Sequence, residues 1–110
     1  NYINQLGELM RNLVNSYYKK YGIPLSVIGT NSISRIVFTD QKFKNRMERD
    51  FLENGTQNKQ IKFRKKMLEK NILWPNNGIL FTGFCNTKKE IENLAAKINQ
   101  TSREVFLLSS

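Results

Sequence analysis

The chain has 110 residues, of which 39% are hydrophobic and 25% charged, and 18 basic against 9 acidic residues give it a net charge of +9. That length fits one domain, residues 1–110, because two independent cores would be hard to sustain. The sequence has no histidine, which excludes Ser-His-Asp and Cys-His catalysis and most zinc or copper sites. No apolar run approaches the roughly 20 residues that cross a bilayer, so we expect no membrane span.

The first predicted element is a helix over Asn4–Tyr21. Its apolar side chains recur at three- and four-residue steps, as Ile3, Leu6, Met10, Leu13, Val14, Tyr17 and Tyr21. Gly22 and Pro24 end it, because glycine accepts the left-handed end conformation and proline cannot continue a helix. β-Branched runs at 25–28 and 33–38, joined by Gly29-Thr30-Asn31, then predict a β-hairpin.

Two helices are predicted next, a short one over Arg46–Glu53 and a longer one over Gln57–Asn71, separated by Asn54-Gly55. The longer helix carries two apolar stripes, one made of Ile61, Leu68 and Ile72 and the other of Phe63 and Met67. Two stripes suggest contacts on both sides, one inside the domain and one with something outside this sequence. The alternative is that Phe63 is simply an exposed aromatic residue.

The last third predicts a loop, a strand over Gly78–Phe84 and a helix that begins at a capping box of Thr87 and Glu90 and continues to about Gln100. Residues 101–110 either extend this helix or fray. The element order predicts an α+β fold, with a small, mostly antiparallel three-stranded sheet covered on one face by helices, a two-layer sandwich.

The distribution of charge and the single cysteine indicate few functional sites. Ten of the basic residues lie between Lys42 and Lys70, with Phe43, Phe51 and Phe63 among them, a pattern that could track a phosphate backbone. We favour a solvated helix surface over nucleic-acid binding, since no recognised binding motif accompanies the charge. Cys85 is the only cysteine, so no internal disulfide can form; we interpret it as structural and expect a reducing, cytoplasmic location.

Three stretches, in order, resemble the C-terminal small domain of class III, fold-type I pyridoxal-phosphate (PLP) aminotransferases, especially the glutamate-1-semialdehyde aminomutase-like branch. The segment 6–21 looks like the helix that leads into that domain. The segment from Gly22-Ile23-Pro24 to Phe38-Thr39-Asp40 is similar to its hairpin. Residues 67–75, 81–84 and 86–91 look like its closing helix, strand and helix.

The resemblance implies a fragment that is inactive alone. In such enzymes a missing N-terminal large domain of the same chain holds the cofactor through a lysine, so no catalytic, metal or PLP-binding residue is assigned to this sequence. The small domain would shape the substrate entrance and support the cofactor domain, and the parent enzyme would be a homodimer. As substrate-facing candidates we predict the loop residues Trp74, Asn76 and Asn77.

One departure from the family bears on the substrate. The aminomutase branch has a glutamate just before the third strand, whereas Asn76-Asn77-Gly78 contains no acid. A related aminotransferase that acts on another amino or keto substrate, such as a sugar, fits this sequence as well as an aminomutase does. Two alternatives of other classes remain at this point: a free-standing basic module for nucleic acid or an acidic partner, and self-association through Phe63, Met67 and the segment 105–108.

Overall fold

A computed structural model describes residues 2–72, 79–81 and 87–107 of this chain. They form, in order, α1 (Tyr2–Tyr21), β1 (Ser26–Thr30), β2 (Ile33–Val37), α2 (Arg46–Leu52), α3 (Gln57–Glu69), β3 (Ile79–Phe81) and α4 (Lys88–Phe106). The predicted α+β class is confirmed: an antiparallel hairpin combines with helices in one small fold. None of the helices in these described segments is long and apolar enough to cross a membrane.

Helix α1 ends where the sequence predicts, with Gly22 at φ 66° and the Ile23 amide donating back to the Tyr18 carbonyl. Its buried residues are Leu6, Gly7, Met10, Val14 and Tyr18. The predicted stripe is wrong at its end, because Tyr18 enters the core while Tyr21 is 38% exposed. The Tyr18 hydroxyl shares a buried hydrogen bond of 2.7 Å with Ser102 of α4, which offsets the cost of burying it.

The hairpin turns two residues later than predicted. Thr30 pairs with Ile33, so the turn is Asn31-Ser32 and not Gly29-Thr30-Asn31. Asn31 supplies the left-handed conformation, with φ 54°, which its short polar side chain tolerates. Gly29 stays in β1, where a Cβ would strike the Ile33 carbonyl.

Helix α1 lies directly on the hairpin. Gly7 makes the close approach possible, since a Cβ there would strike the Asn31 carbonyl. The Arg11 guanidinium donates to the Asn31 and Ile33 carbonyls and to Ser34 Oγ, at 2.9–3.2 Å. The Asn15 side chain donates to the Val27 carbonyl at 2.8 Å and accepts from the Val27 amide at 2.7 Å. Polar contacts therefore fix the helix in register with the strands.

The segment predicted as a third strand, Gly78–Phe84, is strand over Ile79–Phe81, and its other residues lie outside the described ones. These three residues pair antiparallel with β2, from Ile33 opposite Phe81 to Arg35 opposite Ile79. The five-residue pairing of β1 with β2 is the more extensive part of the sheet.

Burial shows which of the two apolar stripes of α3 packs inside the fold. Phe63 and Met67 are fully buried, whereas Ile61 and Leu68 are 55% and 59% exposed. The interpretation of Phe63 as an exposed aromatic is therefore wrong: its ring meets Phe38 edge to face, with centroids 5.8 Å apart. Self-association through Phe63 and Met67 is wrong for the same reason.

Helix α4 begins at the predicted capping box, where the Thr87 hydroxyl accepts from the Glu90 amide at 3.1 Å. It continues to Phe106, with Thr101, Ser102 and Val105 buried, so the chain takes the extended alternative as far as the described residues go. Helix α4 packs on α1, and α3 packs on α4. The core lies between the hairpin and these three helices.

Candidate functional site

The predicted substrate-facing residues Trp74, Asn76 and Asn77 lie outside the described residues, as does Cys85. The first described residue after them is Ile79, which pairs with Arg35 in the middle of β2. Three arrangements among the described residues remain to be considered: the basic helices, the exposed face of α2, and the charged residues around Arg35.

The basic segment is partly occupied by contacts within the fold. Lys70 forms an ion pair with Glu104 at 2.8 Å, and Lys59 lies 4.9 Å above the ring of Phe106. Phe63, one of the aromatic residues expected to alternate with the charges, is in the core. Part of this segment therefore holds α3 against α4, and Phe63 is not available to stack on a base.

Among the described helices, α2 alone has no buried residue. None of its residues is buried, and Met47 and Phe51 are 82% and 78% exposed. The two side chains are four residues apart and share one face, which we call the α2 face. A hollow of about 400 Å³ adjoins it, lined by Gln41, Lys42, Met47, Glu48, Phe51 and Leu52. Single exposed apolar residues are common, but two large ones side by side, uncovered by the residues that the structure describes, are typical of an interaction surface.

The helix begins and ends at specific polar contacts. Asn45 caps the first turn by accepting from the Glu48 amide at 2.9 Å. At the other end, Glu53 Oε2 accepts from the Phe38 amide at 2.8 Å, just beyond β2. Glu53 thereby ties the end of α2 to the sheet, so the position of the α2 face depends on this carboxylate.

Charged residues of α2 and its C-cap influence Arg35 of β2 electrostatically. Ser34 and Ile36 are buried toward α1, and since successive strand residues point to opposite faces, Arg35 lies on the face away from α1. Around it α2 and its C-cap contribute charges of both signs. We call the set of Arg35, Arg46, Arg49, Asp50 and Glu53 the Arg35 cluster.

Within this cluster Arg49 and Glu53 are well shielded, with side chains 13% and 12% exposed. Arg49 Nε lies 3.7 Å from Glu53 Oε1, and its Nη2 lies 3.5 Å from Asp50 Oδ1. The pKa of Arg35 is lowered, chiefly by burial and then by the charge of Arg49, with Glu53 acting in the opposite direction. Sequence reasoning missed this cluster, although one arginine inside an apolar strand was a visible signal.

The described residues do not fit a PLP site. PLP enzymes hold the cofactor through a lysine amine, with an acidic or basic partner at the pyridine nitrogen. Every lysine of this chain lies in the described segments, and each is exposed or half-buried. In the same segments no three metal-ligating side chains come together. We therefore derive no catalytic step within this chain.

Comparison with known proteins supports the fold. No protein-family model and no curated protein matches the sequence. Among solved structures, an omega-transaminase from Sphaerobacter thermophilus matches with a TM-score of 0.75 and 15% sequence identity. The match covers 94% of this chain and 23% of that one. The fold of this chain therefore matches a part that makes up 23% of that transaminase.

Proposed function

We propose that this chain is the C-terminal small domain of a PLP-dependent aminotransferase, and that it supports the cofactor domain without catalysing a reaction alone. The observation that carries the proposal is the fold likeness to a limited part of an omega-transaminase. The resemblance of residues 6–91 to class III aminotransferases agrees with it. The fold comparison gives no support to the alternative of a free-standing basic binding module.

The α2 face is our candidate for the contact with the missing large domain. A helix without buried residues contributes little to the core of this chain, so its exposed Met47 and Phe51 are available for another domain. The exposed Ile61 and Leu68 on α3 offer a second apolar strip. We propose that the large domain covers this face. The match covers only 23% of the transaminase chain, so the remaining 77% of that chain lies outside this fold.

The finer features of the parent enzyme belong to the same proposal. In it, Trp74, Asn76 and Asn77 face the substrate, and the small domain shapes the substrate entrance. The parent is a homodimer of the aminomutase-like branch, located in the cytoplasm. PLP, held by the large domain, supplies the electron sink for amino-group transfer; the residues of this chain position the entrance and exclude water from it.

The test is the coding sequence upstream of Asn1. If it continues in frame into a large α/β domain, the longer chain is expressed beside the 110-residue chain. We expect the longer chain to bind PLP and to transfer amino groups between an amine and a keto acid, and the short chain to do neither. A start codon close to Asn1, or turnover by the short chain, would contradict the proposal.

A further inference from the structure

Among the described residues, the outer edge of β1 is bonded to a side chain and not to another strand. Strand β1 lies at one end of the sheet, whose order is β1-β2-β3. The Asn15 side chain of α1 accepts from the Val27 amide at 2.7 Å and donates to the Val27 carbonyl at 2.8 Å. A side-chain amide carries both an acceptor and a donor, as a backbone peptide group does. Asn15 therefore takes the place that a residue of a neighbouring strand would have.

The pairing of β1 with β2 shows which backbone groups face outward. In an antiparallel pair, opposite residues alternate between pairs that exchange hydrogen bonds and pairs that do not. The two-residue turn makes Thr30 and Ile33 a hydrogen-bonded pair. Counting back along β1, Val27 and Gly29 then point their amides and carbonyls away from β2. We call these four groups the β1 edge, and Asn15 occupies two of them.

The sequence of β1 itself gives this edge no protection. Edge strands can pair with further strands, and proteins usually prevent this with a charged residue, a proline or a bulge. The five residues of β1 include no charged residue and no proline, three of them are β-branched, and the strand pairs with β2 without a bulge. Ile28, in the middle of the strand, is 39% exposed. Among the described residues, Asn15 is therefore the feature that keeps the β1 edge from accepting a strand.

We propose that Asn15 closes the β1 edge against a second copy of this chain. The partner follows from symmetry: when two β1 strands pair antiparallel with Val27 opposite Gly29 of the other copy, all four groups of each strand bond at once. This register places Ile28 beside Ile28 of the second copy, so two exposed apolar side chains cover each other as well.

Pairing of two copies and the contact with Asn15 exclude each other. The Val27 amide has a single hydrogen, which it donates either to Asn15 or to a second strand. Two copies can therefore pair through this edge only after both Asn15 side chains have moved away. The competition involves residues of this chain alone, so the inference does not depend on the chain being part of an aminotransferase.

Sedimentation velocity of the wild-type chain and of Asn15→Ala over a range of concentrations tests the proposal. The variant lacks both bonds to Val27, so we expect its dimer dissociation constant to be lower than that of the wild type by about tenfold or more. The association should stop at a dimer, because the pairing uses the β1 edge of both copies. Asn12→Ala, at an exposed position of the same helix, is the matched control and should behave like the wild type.

A second substitution shows whether the dimer uses the β1 edge. Ile28→Glu puts a carboxylate opposite Arg35 within the chain, which favours the hairpin, but it places two carboxylates side by side in the paired copies. Added to Asn15→Ala, it should restore the wild-type balance of monomer and dimer. A dimer that persists in the double variant, aggregates larger than a dimer, or an Asn15→Ala variant that sediments as the wild type does would each overturn the proposal.

Hydrogen exchange in the wild-type chain tests the closed edge without any variant. Val27 and Gly29 both direct their amides outward, and within the described segments Asn15 accepts from that of Val27. After correction for intrinsic rates, we expect the Val27 amide to exchange more slowly than the Gly29 amide by about tenfold or more. Equal exchange of the two amides would contradict the proposal. If Asn15→Ala fails to fold by circular dichroism, Asn15→Ser, whose single hydroxyl cannot replace both bonds, is used with the same expectations.

Discussion

Helices α1 and α2 show two different relations between a helix and its surroundings. Helix α1 buries five residues, contacts the hairpin through Arg11 and Asn15, and shares a buried hydrogen bond with α4. Helix α2 buries none, and one carboxylate ties its end to the sheet. The first helix belongs to the core that the described residues form. The second presents an apolar face for which these described segments provide no cover.

The largest expected effect contrasts two phenylalanines. Phe63→Ala should lower the free energy of unfolding by about 3–5 kcal/mol, because Phe63 is fully buried and its removal leaves a cavity. Phe51→Ala is the same chemical change at a residue that is 78% exposed, and it should cost less than about 0.5 kcal/mol. Urea unfolding of both variants checks this. A comparable loss in the two would contradict the distinction between core and α2 face.

The next largest change in stability is expected where α1 lies close to the hairpin turn. Gly7→Ala should lower the free energy of unfolding by about 1–3 kcal/mol, since the new Cβ would strike the Asn31 carbonyl and force the elements apart. In a solvent-exposed helix the same change would stabilise by roughly 0.5–1 kcal/mol. Ser16→Ala, at an exposed position of α1, is the control and should be nearly neutral. A stabilised Gly7→Ala variant would show that the helix does not approach the turn this closely.

A pH-dependent effect of the core centres on Tyr18. Burial raises the pKa of Tyr18 above its ordinary value, and the hydrogen bond with Ser102 only partly opposes this. The folded state therefore holds the phenolic proton more tightly than the unfolded state. The contribution of Tyr18 is complete below about pH 10 and falls above it by up to about 1.4 kcal/mol per pH unit.

Tyr18→Phe tests this contribution. At neutral pH it should cost about 1 kcal/mol, through loss of the hydrogen bond to Ser102. Between about pH 9 and 11 the variant should lose less stability than the wild type, because it has no phenol to ionise there. Urea unfolding across this range measures the difference. Parallel curves for the two proteins would mean that Tyr18 titrates equally in the folded and unfolded states.

The smallest effect concerns the ion pair of Lys70 with Glu104, which joins α3 to α4. A double-mutant cycle with Lys70→Met and Glu104→Gln should give a coupling of about 0.5–1 kcal/mol, since both side chains are partly shielded. Added salt should reduce it. A coupling of zero at low salt would show that the pair contributes nothing to holding these helices together.

Much of the fold is predictable because local signals agree with the tertiary structure. The spacing in α1, the stop at Gly22 and the capping box at Thr87 each specify an element boundary that the structure shows. The sequence pattern places the hairpin turn too early, because glycine is the more common residue for positive φ, yet Asn31 and not Gly29 makes the turn. Periodicity found two stripes on α3, but only packing decides that Phe63 faces inward.

The functional features were harder to predict. The α2 face rests on two residues in a seven-residue helix, too short a stretch for periodicity to show which side is covered. The Arg35 cluster rests on electrostatic influence between residues of β2 and α2 that are more than ten positions apart, so only the folded chain shows it. Trp74, Asn76 and Asn77 remain predictions of the resemblance.

Hydrogen exchange at the α2 amides, Met47 to Leu52, tests the central claim most directly when it is measured in the 110-residue chain and in a longer chain that includes the proposed large domain. We expect rapid exchange in the short chain, because α2 has no buried residue, and at least tenfold slower exchange in the longer chain, where a large domain covers Met47 and Phe51. Amides of α1 serve as the internal reference and should exchange at similar rates in both. Equal rates for α2 in the two chains would contradict the account.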